Sequence, residues 1–187
     1  MVHVTFMRNR YLLRISSLKL SLPVLVFIQI SLLSGCASPA WPAQPEANFG
    51  FVVEFGSCGV NKLDTFKGEF TQDRVNEPDL TIPMTLSIHQ MQLIYEGMVA
   101  IDLASYPEVF AVPKPLFGEL IRISSPFYYA LRLENGGTKI SINWLDDLVK
   151  PTTQKADRLR GWFDLIIKMV AAHPAYKQLP ELNFGCI

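Results

Sequence analysis

Histidine and cysteine are scarce in this chain, three of each in 187 residues, which leaves little of the usual equipment for proton transfer, thiol chemistry or metal binding. No G-x-S-x-G elbow, H-E-x-x-H pair, C-x-x-C pair or glycine-rich phosphate loop follows residue 36. The sequence therefore names no hydrolase, metalloprotease, redox or nucleotide site, and no cofactor or metal is expected. Net charge is missing too, with 17 basic residues against 17 acidic ones. No apolar run reaches the roughly 20 residues that a membrane-crossing helix needs.

What is present is unevenly placed. The first 35 residues carry Arg8, Arg10, Arg14 and Lys19 and no acid, followed by the apolar run from Leu20 to Leu33 and then small residues. A basic stretch, a short apolar stretch and a small-residue end make a secretory signal peptide over residues 1–35. That peptide ends in Leu33-Ser34-Gly35-Cys36, which resembles the lipobox of bacterial lipoproteins. The resemblance implies that the Cys36 thiol carries a diacylglycerol and becomes the new N-terminus after cleavage. Each buried acyl CH₂ contributes about 0.8 kcal/mol, so two or three chains on one cysteine anchor a domain durably where one chain does not. The alternative is a small buried thiol that merely follows a cleaved signal. The lipid bilayer is thus one expected partner, and an envelope protein a second. Ala37 after the anchor resembles the sorting pattern for the outer membrane of a two-membrane cell. In a one-membrane cell the same protein would sit on the outer face of the plasma membrane.

Removing residues 1–35 takes away four basic residues and leaves 13 against 17 acidic ones, a net charge of −4. A mildly acidic domain has no electrostatic footprint for nucleic acid. Cys58 and Cys186 remain, and in an exported protein an even pair is expected to form a disulfide, the alternative being two unpaired thiols. The bond would close a loop of about 128 residues, for which the chain-entropy model gives about 4–5 kcal/mol.

Residues 36–47, rich in Pro and Ala, read as the lipidated cysteine and a tether. In it Trp41 either rests at the lipid interface or is exposed to water. A single globular domain is expected over 48–187. "NFGFVVEFGSCG" reads as a strand, and "DTFKGEFTQD" as a second one paired to it through a Gly59–Lys62 turn, with Phe66 and Phe70 on one side. "DLTIPMTL" alternates, and Pro83, which has no N–H to donate, places it at a sheet edge. Ser87-Ile88-His89-Gln90 is a capping box. It opens a helix whose apolar face runs Met91, Ile94, Tyr95, Met98, Ile101 to about Leu103, with His89 on its exposed first turn.

Prolines 107, 113, 115 and 126 break the pattern over 105–126, where a long ordered connection is expected. Its Tyr106, Phe110, Leu116 and Phe117 are the candidate binding surface, the alternative being a loop packed over its own core. "PFYYALRLENGGTKISINW" predicts a hairpin with a type I′ turn at Asn135-Gly136. A final helix is expected from Thr153 to Ala172, where Leu159, Trp162, Phe163, Ile166, Met169 and Val170 form the buried stripe. The class expected is α+β: an antiparallel sheet of about five strands with two amphipathic helices on one face.

The stretches "NKLDTFKGEFTQD", "PMTLSIHQMQLIYEGM" and "KQLPEL" are similar to an uncharacterised domain of exported bacterial proteins. That resemblance implies export and carries no activity. The leading expectation is a non-catalytic envelope lipoprotein that binds a protein or small ligand. The alternative is a small envelope hydrolase using Asp64, Glu69 or Asp147, out of a carboxylate cluster that also holds Asp73 and Asp146, since two carboxylates about 5–10 Å apart can act as acid and base.

Overall fold

The computed structural model describes residues 41–180, apart from 76, 114–120 and 151. Cys36, Leu116, Phe117 and Cys186 lie outside the described residues. Among the described residues the fold is α+β, with a seven-stranded sheet and two α-helices. The strands are β1 (Gly50–Gly56), β2 (Asn61–Asp64), β3 (Glu69–Gln72), β4 (Leu80–Pro83), β5 (Val109–Phe110), β6 (Ile121–Asn135) and β7 (Thr138–Lys150). The helices are α1 (Ile88–Ala100) and α2 (Gln154–Ala172). Sheet order is β4-β3-β2-β1-β6-β7-β5, antiparallel throughout except that β5 runs parallel to β7. The expectation of about five antiparallel strands is corrected in both respects. β5 is two residues long and falls among prolines. Of the second predicted strand, 64–73, only 69–72 forms β3, a turn interrupts it at 65–68, and β2 takes in Asn61 and Lys62 of the predicted Gly59–Lys62 turn.

That second correction has a local cause. The chain reverses between β2 and β3 at Thr65–Gly68. There Asp64 Oδ1 accepts from the Phe66 and Lys67 amides at 3.1 Å each, and Gly68 supplies φ +66°. Phe66 is therefore a turn residue, half exposed, and not a neighbour of the fully buried Phe70. The β6–β7 hairpin forms where expected, but β6 already starts at Ile121, inside the expected 105–126 connection, and continues through Pro126. β7 runs on past Trp144 to Lys150, and the turn differs too. Asn135 pairs with Thr138, so the loop is Gly136-Gly137. A type I′ turn requires positive φ at both loop residues, and of these two only Gly136 has it, at +61°.

Alternation along the strands gives the sheet one dry side. Phe51, Val53 and Phe55 of β1 lie in register with Leu133, Leu131 and Tyr129 of β6, and these with Ile140, Ile142 and Trp144 of β7. Leu63 and Phe70 extend the same face, and all of these are buried except Ile140, which is partly so. Both helices close over this side. Ser87 Oγ accepts from the Gln90 amide while Gln90 Oε1 accepts from the Ser87 amide, the expected capping box, and Ile94, Tyr95 and Met98 go inward. Thr153 caps α2 by accepting from the Ala156 amide. Leu159, Trp162, Phe163, Ile166 and Val170 are buried as the spacing implies, and Met169 is partly so. The helices meet at Gly97, where a Cβ would stand 2.9 Å from Trp162 Cδ1. There the indole Nε1 donates to the Ile94 carbonyl at 3.0 Å.

The tether ends sooner than its composition implies. Trp41 packs against the core, the Tyr95 hydroxyl donates to the Pro42 carbonyl at 2.8 Å, and the Glu46 amide donates to Asn135 Oδ1 at 2.8 Å. The Asn48 side chain bonds Gly136 in both directions, at 2.8 and 3.0 Å. Residues 41–48 are thus fastened to the hairpin and α1, and Trp41 is partly buried against the core.

Candidate functional site

The expected binding surface divides in the structure. Tyr106 is 6% exposed and lies beneath α2, its hydroxyl donating to the Lys155 carbonyl at 2.8 Å with the Lys155 ammonium 4.5 Å from its ring centre. It is a packing residue. Phe110 is equally buried, edge-on to Tyr106 and Trp144. One margin of it still reaches a groove of about 430 Å³ between residues 109–112 and the 143–148 stretch of β7. Arg122 and Asp147 pair within that groove, and Val109 and Leu145 are exposed at its lip.

The open side of the sheet carries a second depression, of about 310 Å³, lined by Val52, Glu54, Tyr128, Ala130, Arg132, Ser141 and Asn143. Strand register builds it. Ala130 stands opposite Glu54 on one side and Asn143 on the other. Tyr128 and Arg132 are its same-face neighbours two residues away along β6, because side chains repeat every second residue. Four polar side chains thus surround one methyl group. Their mutual contacts are long: Tyr128 Oη donates to Asn143 Oδ1 at 3.5 Å, and Arg132 Nη2 is 3.8 Å from Glu54 Oε1, the latter beyond hydrogen-bond length. Tyr128 and Asn143 line both depressions, which makes the groove and the basin neighbours.

The carboxylates singled out for hydrolysis do not gather into one site. Asp64 caps the β2–β3 turn. Asp73 accepts from the Val60 and Val75 amides, at 2.8 Å each. Asp146, buried under α2, is gripped by Arg160 through Nε at 2.7 Å and Nη2 at 3.0 Å, and this hydrogen bond holds the Arg160 guanidinium above its ordinary pKa. Asp147 pairs with Arg122. Asp64 and Glu69 face each other across β2 and β3. Asp64 aligns through Val52 and Arg132 with Ser141, six residues short of Asp147, and six strand residues span about 20 Å. The Asp64 and Glu69 pair thus stands too far from Asp147 for shared acid–base work. Among the described residues no three His, Cys, Asp or Glu side chains converge as a metal site. His89 is exposed on the first turn of α1.

Cys58, half-buried just beyond β1, is disulfide-bonded; the other two cysteines fall outside the described residues. Sequence reasoning missed the basin because alanine and serine in a strand carry no chemical signal. Only the pairing of β1, β6 and β7 brings Glu54 and Asn143 to the sides of Ala130. No protein-family model matches the chain, and no curated protein sequence matches it, so the assignment of function rests on the site itself.

Proposed function

We propose that this chain is a membrane-anchored, non-catalytic binding protein of the bacterial cell envelope. A lipid on Cys36 holds it, and a Cys58–Cys186 disulfide braces it. The ligand surface is the open side of the sheet and not the 105–126 connection. The observation that carries this reading is the contrast in commitment among polar groups. Asp64, Asp73, Asp146 and Asp147 are engaged in turns and ion pairs, whereas Glu54, Tyr128, Arg132 and Asn143 converge on one depression with only long contacts between them. The N-terminal charge and hydropathy pattern supports export, and the small residues before Cys36 support acylation. Because Trp41 is already part of the domain, five chain steps separate it from Cys36. They reach at most about 18 Å, which would keep the domain close to the bilayer surface.

Fatty-acid labelling of cells expressing the full chain tests the anchor. Label is expected on the wild-type protein and absent from Cys36→Ser, and intact mass should show residues 1–35 removed. An unlabelled protein that retains its first 35 residues refutes the envelope assignment.

A further inference from the structure

We infer that the basin around Ala130 takes a neutral polyhydroxylated ligand, a short run of saccharide units; this rests on the binding function proposed above and specifies its ligand class. The floor is the Ala130 methyl with Val52 and Ser141 beside it, and the rim is Tyr128, Glu54, Arg132 and Asn143. Each rim group suits a ring bearing hydroxyls. The carboxylate of Glu54 only accepts, the guanidinium of Arg132 only donates, and the Asn143 amide and Tyr128 hydroxyl do both. Vicinal hydroxyls, each a donor and an acceptor, satisfy such a mixed set where a simple anion or cation cannot.

Charge decides against ionic ligands. Glu54 and Arg132 cancel, so a phosphate gains from one and is repelled by the other. The Tyr128 ring offers an apolar face to the C–H side of a sugar. The volume of about 310 Å³ lies at the small end for ligand sites, matching one or two units.

The spacing of the rim groups is also informative. Glu54 and Asn143 sit two strand spacings apart, about 10 Å, and Tyr128 and Arg132 four residues apart, about 13 Å. These are backbone separations across the basin, wide enough for a ring over Ala130; the side chains reach one another only in the adjacent pairs Tyr128–Asn143 and Glu54–Arg132, at 3.5 and 3.8 Å. A small residue is needed at the centre of that cross, and the sequence has alanine there.

The experiment is titration of the full-length protein in detergent with N-acetylglucosamine tetramer and with cellotetraose, followed by saturation-transfer NMR and calorimetry. Inorganic phosphate and a hydrophobic tetrapeptide serve as the other arms. Saccharide binding is expected in the wild type. It should weaken at least tenfold in Ala130→Trp, which fills the floor with a strand-compatible ring, and in Tyr128→Ala, with the thermal midpoint of both unchanged. Saccharide binding that survives Ala130→Trp overturns the site, and absence of binding to either saccharide overturns the ligand class. A lipidated protein that binds the tetrapeptide or phosphate in the basin, and no saccharide, also overturns the ligand class while sparing the binding function. A protein that binds none of the four probes and takes up no fatty acid overturns both.

Discussion

The two faces of one sheet are built from alternate residues of the same strands, yet they obey different rules. On the covered face Tyr129 stacks between Trp144 and Phe163, with ring centres 5.2 and 4.5 Å away, and nearly every inward side chain is buried. One residue to either side, Tyr128 and Ala130 look out over the basin. An antiparallel sheet with one wet face is an ordinary arrangement. What distinguishes this one is that its wet face is concave around an alanine, and its polar groups there are poorly paired. Stability belongs to one face and the proposed recognition to the other, so substitutions should separate the two.

The largest separation should come from Phe163→Ala. Phe163 is fully buried and stacked on Tyr129, and truncating such a ring costs about 3–5 kcal/mol in lost transfer energy and cavity. Urea denaturation should show a loss of unfolding free energy of that size. Next is the ion pair at the boundary of the covered face, where Asp146 bonds Arg160 twice. Removing one partner of a buried pair costs about 3–5 kcal/mol. Arg160 is 29% exposed and also bonds Asp157, so Asp146→Ala should cost about 2 kcal/mol. A double-mutant cycle with Arg160→Ala should recover most of that as coupling. Additive effects would mean the pair contributes nothing beyond its parts.

These outcomes bear on how much a reader of the bare sequence can see. The α1 capping box, both helical stripes and the inward sets of β6 and β7 were legible because each is a local pattern whose period matches one element. The β2–β3 turn was not, because Phe66 and Phe70 mimic a single apolar face until Asp64 is seen to cap the reversal. Nor was the fastening of Trp41, which depends on Tyr95 and Asn135, 53 residues beyond Pro42 and 89 beyond Glu46 respectively. The basin is the extreme case. Its side chains come from three strands, and nothing in "YYALRLE" or "KISIN" marks Ala130 or Asn143 as neighbours of Glu54.

Alkaline pH gives a third, smaller contrast between the faces. Burial raises the Tyr129 hydroxyl above its ordinary value near 10, with Asp164 and Asp146 adding to the shift, and burial raises Tyr95 and Tyr106 likewise. The folded state holds these protons more tightly than the unfolded chain, so stability is intact below pH 10 and falls as pH rises past it. For Tyr129 alone the loss at pH 11 is about 1.4 kcal/mol. Tyr129→Phe should therefore flatten the fall between pH 10 and 11, as followed by unfolding midpoints. An equal fall in both proteins would show that burial at this position does not govern alkaline stability.

The smallest effect on stability is the most telling for function. Arg132 is 69% exposed, and its distance to Glu54, 3.8 Å, gives an ion pair of the kind that contributes about 0–1 kcal/mol in water. Arg132→Ala should thus leave the urea midpoint within error of wild type. Its Cα neighbours across the strands are Val52 and Ser141, on a face that neither α1 nor α2 covers. If the fold gains nothing from that guanidinium, its place at the rim of the basin is explained by what it binds, and saccharide affinity should drop while stability holds. A variant that unfolds earlier by 1 kcal/mol or more would instead make the open face part of the apparatus that holds the sheet together, and the division of labour between the two faces would fail.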